Sequence, residues 1–443
     1  MRLIQTIKNI FKIEDLRARL LYTLGIILLY RLGKYITLPG IDPTQLAGLK
    51  SQTSSGIMGL LDMFSGGAFS QASIFALGIM PYISASIVVQ LLGIVFPYFQ
   101  KLQKEGESGR RKMNQYTRYL TVAILILQAP TYLVNLTRTL PASAFILSNT
   151  FFFQFSSVII LTAGTIFVMW LGEKITDKGI GNGISLIIMI GIIARLPANF
   201  VFETGARMNG SGGLIALLVE IIFLFIVILG TILLVQGTRR VPVQYARRII
   251  GNKQYGGVRQ YIPLKVNAAG VMPIIFAQAI MMLPIIIAGY AKSGSAFMIA
   301  FGNMFGFWYN LVTAILIIVF TYFYTAITIN PVQMAEDMKK NGGFIPGIKP
   351  GRKTVEFLDT VMSRITFPGS IFLAIVAILP AIAVKAGVSQ NFAQFYGGTS
   401  LLILVGVVLD TLQQIESHLL MRHYDGLMKS GRVKGRTGAS SAY

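Results

Sequence analysis

The sequence predicts an all-α integral membrane protein of ten transmembrane helices, arranged as two inverted halves of five. Hydrophobic residues make up 54% of the chain and charged residues only 13%, whereas a soluble domain carries about 25% charged residues. One eight-residue motif, the repeated phrase, occurs in both halves. Gly-Ile-Met-Pro-Tyr-Ile-Ser-Ala at 78–85 matches Gly-Val-Met-Pro-Ile-Ile-Phe-Ala at 270–277. Such duplication is typical of membrane proteins whose working site lies between the halves.

Apolar stretches long enough to cross a membrane are recognised by their length, about 20 residues. The ten candidates are 20–38, 72–95, 118–138, 152–172, 182–199, 213–236, 268–290, 306–329, 366–386 and 399–421. Each half of the chain therefore contains five spans.

Basic residues decide the orientation, because cytoplasmic loops are enriched in Lys and Arg. Every second loop is basic, and 31 of the 39 Lys and Arg residues fall on one side. The basic segments are Met1–Arg19, Lys101–Arg118, Lys174–Lys178, Arg239–Lys265, Lys339–Arg364 and Arg422–Arg436. Both termini are therefore predicted to be cytoplasmic.

An odd number of spans per half means that the second half enters the membrane upside down relative to the first. The N-terminal half covers 1–199 and the C-terminal half 213–443. The polar and Gly-rich segment 200–212 is predicted to be an external hinge between them.

Branched apolar residues recur at matched positions of four spans. Ile79 and Ile83 are spaced i,i+4, as are Ile184 and Ile188, and residues so spaced share a helix face. The second half supplies Val271 with Ile275 and Thr399 with Ile403. Around a central axis these residues would form an apolar ring, which gates a pore because water and ions find no partners there. The alternative is ordinary lipid-facing or packing isoleucine.

Two features flank the first repeated phrase. Pro81 and its equivalent Pro273 lack a backbone donor, and each is able to kink its helix. The segment Leu60–Ala72 is apolar yet short and broken by Gly66 and Gly67. Irregular backbone at membrane depth survives only inside protein or in a wet cavity, so this segment is predicted to be re-entrant.

The sequence argues against several chemistries. There is no cysteine, which excludes disulfides and thiolate sites, and the two histidines, His418 and His423, are not spaced as a metal pair on one helix face. No nucleotide-binding P-loop is present. No cofactor is predicted. Glu220 and Asp410 lie within spans and are candidates for a proton or ion site, but an interface or a hydrated wall is the preferred interpretation for Asp410.

Several long motifs follow in order along nearly the whole chain: DMFSGGAFSQASIFALGIMPYISASIVVQ at 62–90, EGESGRRKMNQYTRYLT at 105–121, GEKITDKGIGNGIS at 172–185, PLKVNAAGVMPIIF at 263–276, NGGFIPGIKPG at 341–351 and GGTSLLI at 397–403. With these motifs the chain resembles the SecY/Sec61-alpha family of protein translocase channels. The resemblance implies a central hourglass pore with two water-filled funnels.

The resemblance also implies three sets of channel residues. The pore ring would be Ile79, Ile83, Ile184, Ile188, Ile275 and Ile403. The plug, a short re-entrant helix on the outer side of the ring, would be Leu61, Asp62, Met63, Phe64, Ser65, Gly66, Gly67, Ala68, Phe69 and Ser70, within about 60–72. The lateral gate, spans two and three against seven and eight, would include Ser84, Gln90, Gln128, Leu283 and Ile287, with Gln90 facing Gln128 or water.

Two long basic cytoplasmic loops, 237–266 and 330–365, resemble those that dock the motor SecA and the ribosome in the family. Basic side chains there are able to meet ribosomal RNA phosphates. The docking candidates are Arg239, Arg240, Arg247, Arg248, Lys253, Arg259, Lys349, Arg352 and Lys353. Lys349 stands where the family usually has arginine, so a point charge replaces a planar bidentate donor.

The predicted function is a passive protein-conducting channel of the bacterial cytoplasmic membrane. It would pass unfolded secretory polypeptides across and release hydrophobic segments sideways into lipid. The expected partners are SecE, SecG, SecA, the ribosome, signal peptides and nascent chains, accessory proteins of the SecDF and YidC types, and anionic lipids. An enzyme is not expected, since no catalytic grouping appears. The alternatives are an inverted-repeat secondary transporter of a small solute and a membrane enzyme acting on lipid.

Overall fold

The computed structural model describes residues 13–46, 48–49, 59, 62–146, 150–208, 213–245, 248–250, 253–255, 259–278, 280–281, 301 and 303–429. Within them, seven helices are long and apolar enough to cross a membrane, or eight if one bent pair counts as a span. The predicted span 268–290 runs largely outside the described residues. The count of ten therefore stays a prediction.

The long elements described in the first half of the chain are all helices. Its helices are α1 (Glu14–Gly33), α2 (Met80–Val95), α3 (Pro97–Lys104), α4 (Glu107–Thr139), α5 (Thr150–Lys178), α6 (Gly183–Ile193) and α7 (Leu196–Met208). The predicted hinge 200–212 is thus helical as far as Met208, because the apolar positions of the previous span continue through Phe200 and Phe202.

The second half combines helices with a small sheet. Its helices are α8 (Gly213–Gln236), α9 (272–278 and 280–281), α10 (Phe307–Thr328), α11 (Pro331–Lys340), α12 (Arg352–Lys385), α13 (Gln390–Ala393) and α14 (Gly398–Lys429). The strands are β1 (Thr238–Tyr245), β2 (Arg248–Ile250), β3 (Lys253–Tyr255), β4 (Arg259–Lys265) and β5 (Gly343–Phe344).

The repeated phrase has the same local structure in both halves. Gly78 and Gly270 have φ of +55° and +62°, a left-handed conformation that glycine adopts without steric cost. A helix begins two residues later in each case, with Pro81 or Pro273 in its first turn. Proline is tolerated there because its missing N–H has no intrahelical partner anyway.

This placement corrects two expectations about the second span. The span was predicted to be helical over 72–95, but the helix begins at Met80 and residues 74–79 form turns. The prolines do not kink the helices, because each lies at a helix start. The turn geometry positions the apolar residues of the phrase: the amide of Ile83 donates to the carbonyl of Ile79 (3.1 Å), and that of Ile275 to Val271 (3.3 Å).

The two long basic loops, which were predicted to be cytoplasmic, form one body around a three-stranded antiparallel sheet of order β4-β1-β5. β1 pairs with β4 in the first loop and with β5 in the second, with Gln244 opposite both Arg259 and Phe344. Val241, Val243 and Leu264 share a buried cluster with residues of α11 and α12. The all-α prediction therefore missed a sheet that joins the loops.

Candidate pore constriction and plug

Isoleucines from both halves meet in one buried cluster. Ile79 at the start of α2, Ile188 of α6 and Ile403 of α14 are 1%, 6% and 7% exposed within it. Ile83 and Ile184 are partly buried and pack against the same cluster. These five side chains, predicted for the pore ring, come from α2 and the residue before it, from α6 and from α14, and they meet in one hydrophobic cluster.

The sixth predicted ring residue, Ile275, is half-buried on α9. Val271, one turn before it, packs against the cluster that holds the other ring isoleucines. The duplicated phrase thus contributes to the constriction from both halves of the chain.

The described part of the predicted plug, Asp62–Ser70, is buried against this constriction. Met63, Phe64 and Ala68 belong to the same hydrophobic cluster as the ring isoleucines. Within this described part, residues 62–64 are helical and residues 65–70 form turns. Leu61 lies outside the described residues.

A buried charge lies within the plug. Asp62 is 0% exposed and forms an ion pair with Arg195, which follows α6, while its Oδ1 accepts a 2.7 Å hydrogen bond from the amide of Ser70. A guanidinium nitrogen of Arg195 also reaches Ser70 Oγ at 3.5 Å. A buried carboxylate is costly unless it is paired and hydrogen-bonded, so this pairing is what permits the charge to be buried here.

The plug backbone is also held by side chains of the surrounding helices. Each contact uses a plug carbonyl as the acceptor. The pairs are Tyr30 Oη to Ser65 O (3.3 Å), Arg31 Nη1 to Gly66 O (3.4 Å) and Tyr132 Oη to Phe69 O (2.9 Å). Three helix positions outside the plug thus satisfy groups that a turn would otherwise leave buried and unpaired.

Two glycines allow this close fit. Gly66 and Gly67 have φ of +66° and +88°, a conformation that L-residues rarely adopt. A Cβ on Gly66 would lie 2.9 Å from the Cα of Gly191, and one on Gly67 would lie 2.8 Å from Nζ of Lys34. The plug turn therefore rests directly on the α6 backbone and beside a cationic cluster of Arg31, Lys34 and Arg195.

A second ionic group, which we call the hinge clamp, consists of Glu203, Arg207 and Glu220. Arg207 Nε lies 3.3 Å from Glu203 Oε1, and the same guanidinium pairs with Glu220 of α8. Arg207 Nη2 donates to the carbonyl of Gly387 (2.7 Å), and the amide of Ser389 donates to Glu203 Oε2 (3.1 Å). The clamp ties α7 to α8 and to the loop after α12.

The sequence singled out Glu220 but not its partners. Glu203 and Arg207 are spaced i,i+4 on one helix face, and that spacing was the available signal. Glu220 is buried in this ionic contact. Asp410, the other intraspan carboxylate, is exposed on α14 and lines a cavity together with Lys265 and Gln413.

The predicted lateral-gate residues fall on different surfaces. Ser84 and Gln90 are partly buried on α2, while Gln128 is exposed on α4. Gln90 Oε1 accepts a 3.2 Å hydrogen bond from Tyr324 Oη of α10, a partner that the sequence did not predict. The expectation that Gln90 faces Gln128 or water stays a prediction. Leu283 and Ile287 lie outside the described residues.

The predicted docking residues surround the three-stranded sheet and its hairpin extension. Arg239 and Arg240 are exposed on β1, and Lys349, Arg352 and Lys353 are exposed at the start of α12 or just before it. Arg248 lies in β2, Lys253 in β3 and Arg259 at the start of β4. Arg247 lies outside the described residues. The exposed members present cationic side chains on the body that the two loops form.

Comparison with known proteins identifies the relatives of this chain. The SecY family model matches residues 73–412. The Protein translocase subunit SecY of Corynebacterium glutamicum is 45% identical over 438 residues, covering 95% of this chain and 98% of that protein. The chain belongs to the SecY family.

Solved SecY and Sec61 structures share the fold at low sequence identity. A SecY whose plug domain stabilises the closed state of the translocation channel and maintains a membrane seal matches with a TM-score of 0.58 and 18% identity, covering 90% of this chain and 92% of that one. Sec61 from a canine ribosome-channel complex of the endoplasmic reticulum matches with a TM-score of 0.54 and 18% identity, at the same coverage.

Proposed function

We propose that the chain is a protein-conducting channel of the bacterial cytoplasmic membrane, which passes unfolded polypeptides across and releases hydrophobic segments sideways into lipid. The observation that carries the proposal is the shared burial of plug residues with isoleucines of both halves in one cluster. A narrow apolar constriction, closed on one side by a removable segment, suits a conduit that must block ions at rest.

The proposed opening uses the two-halved architecture. A hydrophobic signal segment binds between α2 and α10, the halves separate, the plug leaves its seat, and the ring Ile79, Ile83, Ile184, Ile188, Ile275 and Ile403 widens around the chain. The signal shifts the equilibrium only by its differential affinity for the open state. A shift from 1% to 99% open requires about 5.5 kcal/mol, which sets the scale of closing interactions that a signal must overcome.

External partners supply the energy and the substrate in this proposal. SecA or a ribosome docks on the cytoplasmic sheet body through Arg239, Arg240 and the other basic residues named above, and SecE and SecG complete the membrane complex. Phosphate contacts by Lys and Arg release counterions and are therefore weakened by salt. Relatives of the chain include a channel bound to a ribosome, which supports this arrangement.

A secondary transporter is the weaker alternative. Such a protein needs ionisable groups that bind a coupling ion near the membrane midplane. Here Glu220 is paired with Arg207 in the hinge clamp, Asp410 is exposed at the cytoplasmic end, and apolar side chains occupy the constriction.

The gating role of the isoleucine ring is tested by ion conductance. We expect Ile83→Gly plus Ile275→Gly to raise the ion conductance of the reconstituted, resting complex, because the apolar constriction is widened. A control carries Ile159→Gly plus Ile222→Gly, two exposed isoleucines of α5 and α8. Equal conductance of the two double variants would contradict the proposal that the ring blocks ions at rest.

Transport itself is measured in vesicles that contain the chain with SecE and SecG, supplied with SecA and ATP. Secretory polypeptide that becomes protected from added protease supports the function. If the complete complex protects no polypeptide while its subunits are correctly assembled, the proposed function is wrong.

A further inference from the structure

The cationic cluster of Arg31, Lys34 and Arg195 surrounds the two glycines of the plug turn. Arg31 Nη1 lies 3.1 Å from the point where a Cβ on Gly66 would stand. Lys34 Nζ and Arg195 Nε lie 2.8 Å and 3.4 Å from the corresponding point of Gly67. Three cationic groups therefore converge on adjacent positions of the plug, and neither glycine fills the space between them with a side chain.

The cluster has little contact with water. Lys34, which directly follows α1, is only 9% exposed, and the side chain of Arg195 is 25% exposed. A cation taken out of water is destabilised unless an anion or hydrogen-bond acceptors replace the lost hydration. Arg195 has such a partner in Asp62. The Lys34 ammonium lies 5.4 Å from the centre of the Tyr35 ring, and it forms no ion pair with a carboxylate among the described residues.

The other carboxylates at the plug end of the helices are engaged elsewhere. The Asp42 carboxylate accepts hydrogen bonds from Thr44, and the two carboxylates of the hinge clamp are paired with their own arginine. The sequence between 47 and 61 and between 279 and 302 contains neither Asp nor Glu. Asp62 is therefore the carboxylate of this chain that is left to balance the cluster.

One carboxylate does not neutralise three cations. The carbonyl end of α1, at Gly33, compensates a further part, but a helix C-terminus carries only about half an elementary negative charge. More than one positive charge remains without a counter-charge. Since like charges repel more strongly where water is scarce, this excess opposes the close approach of α1, the plug turn and the segment after α6.

We propose that the cationic cluster binds a small inorganic anion of the chloride type, and that this anion stabilises the plug in its seat. The anion accepts hydrogen bonds from the Lys34 ammonium and the neighbouring guanidinium groups and removes their mutual repulsion. A bulky anion does not fit, because the plug turn rests directly on the α6 backbone at Gly191. This inference rests on the proposed role of 62–70 as a movable plug.

The size of the effect follows from mass action. Displacement of the plug removes one wall of the site, so the anion binds the seated state in preference to the displaced one. It then favours the seated state by a factor of one plus the ratio of the anion concentration to Kd. At a concentration about ten times Kd, displaced plugs become about tenfold rarer.

The test measures maleimide labelling of Ser65→Cys, a buried plug position, in the purified resting complex. Sodium chloride is replaced by sodium gluconate at constant ionic strength, so that general screening of charges is unchanged. We expect labelling to be about tenfold slower in saturating chloride than in gluconate. Broadening of the chlorine NMR signal by the same complex measures chloride binding without reference to plug movement.

Variants of Lys34 assign the effect to the cluster. Lys34→Met removes the charge and keeps a side chain of similar length, so its labelling rate should be equal in chloride and gluconate. Lys34→Arg keeps the charge and should keep the chloride dependence. Lys385→Met is the matched control, because Lys385 is an exposed lysine at the end of α12, and it should respond to chloride as the unchanged chain does.

Three results would overturn the inference. They are equal labelling rates in chloride and gluconate with Lys34 intact, a chloride dependence that persists in Lys34→Met, and labelling that is slowed by added phosphatidylglycerol but not by chloride. The last result would mean that a lipid headgroup neutralises the cluster. The first comparison uses no variant of Lys34, so it decides the inference even where Lys34→Met does not fold.

Failure of the anion site is distinguishable from failure of the proposed function. If the complex exports no polypeptide while chloride still slows labelling through Lys34, the channel function is wrong and the anion site stands. If the complex exports polypeptide and its labelling rate does not depend on chloride, the anion site alone is wrong.

Discussion

The plug seat and the hinge clamp each bury carboxylates against one arginine, but they differ in how the arginine is enclosed. At the plug, Asp62 is fully buried while the side chain of its partner Arg195 remains 25% exposed. In the hinge clamp all three side chains are at most 9% exposed. An arginine that keeps contact with water regains hydration easily when its pair separates, whereas a fully buried one does not.

The backbone partners reinforce this difference. The clamp arginine and Glu203 bind the backbone at Gly387 and Ser389, so their loss would disturb three elements at once. The plug backbone is bound through carbonyls at glycine-rich turns. The two sites therefore differ in the burial of the cation rather than of the carboxylate, and we expect the clamp to stay closed under conditions that release the plug.

The largest effect is expected from Arg207→Ala. It would leave Glu203 and Glu220 buried without their cation, and breaking a buried ion pair from one side costs about 3–5 kcal/mol. We expect a large drop in the thermal-unfolding midpoint of the purified complex and in its cellular level.

Arg111→Ala serves as the control for the hinge clamp. Arg111 also pairs with a glutamate four residues earlier, Glu107, at 3.0 Å, but these side chains are 80% and 83% exposed. Exposed pairs contribute about 0–1 kcal/mol, so this change should be nearly neutral. Similar unfolding midpoints for both variants would remove the distinction drawn between buried and hydrated pairs.

The second-largest effect is expected in the fraction of channels whose plug is displaced. Asp62→Asn keeps an acceptor for the Ser70 amide but removes the charge that faces Arg195. Hydrogen bonds to charged groups contribute about 1.5–3 kcal/mol, so we expect a loss of about 2 kcal/mol and a rise of about 30-fold in the fraction of channels with a displaced plug.

Plug displacement is measured by maleimide labelling of Ser65→Cys, a buried position in a chain that has no native cysteine. Asp42→Asn is the control, since Asp42 is an acidic residue outside the plug whose described carboxylate contacts are hydrogen bonds accepted from nearby Thr44. A labelling rate for Asp62→Asn no higher than that of the control would show that the ion pair does not hold the plug.

Local patterns predicted much of the constriction, because repeats and helix periodicity act over short distances along the chain. The Gly-x-Met-Pro phrases marked two equivalent helix starts, and the isoleucines at i,i+4 marked the faces that meet. The start of α2 was predicted at 72, which is wrong, because the apolar composition of 72–79 does not distinguish turns from a helix. In the structure, the positive φ of Gly78 marks the end of the turns before the helix.

Contacts between distant elements could not be predicted in this way. The Arg207 contact with Gly387, the Tyr324 bond to Gln90 and the pairing of β1 with β5 each join residues far apart in sequence. A single hydrogen-bonding side chain in an apolar span or a two-residue strand carries no periodic signal. Such pairs depend on how helices pack, which one sequence does not encode locally.

The smallest expected effect is the difference in plug labelling between substitutions at two neighbouring glycines of the plug, Gly66 and Gly67. Gly66→Ala and Gly67→Ala both place an L-residue at positive φ, which costs about 1–2 kcal/mol. The new methyl at 66 would also meet the α6 backbone at Gly191, which cannot move without shifting the helix, whereas at 67 it would meet the flexible end of Lys34. We therefore expect the labelling rate of Ser65→Cys to rise in both variants, and to rise more for Gly66→Ala. Equal rates would mean that backbone strain alone weakens the seat and that the contact with Gly191 does not contribute, whereas a higher rate for Gly67→Ala would indicate that the cationic cluster, not the α6 backbone, holds the plug turn.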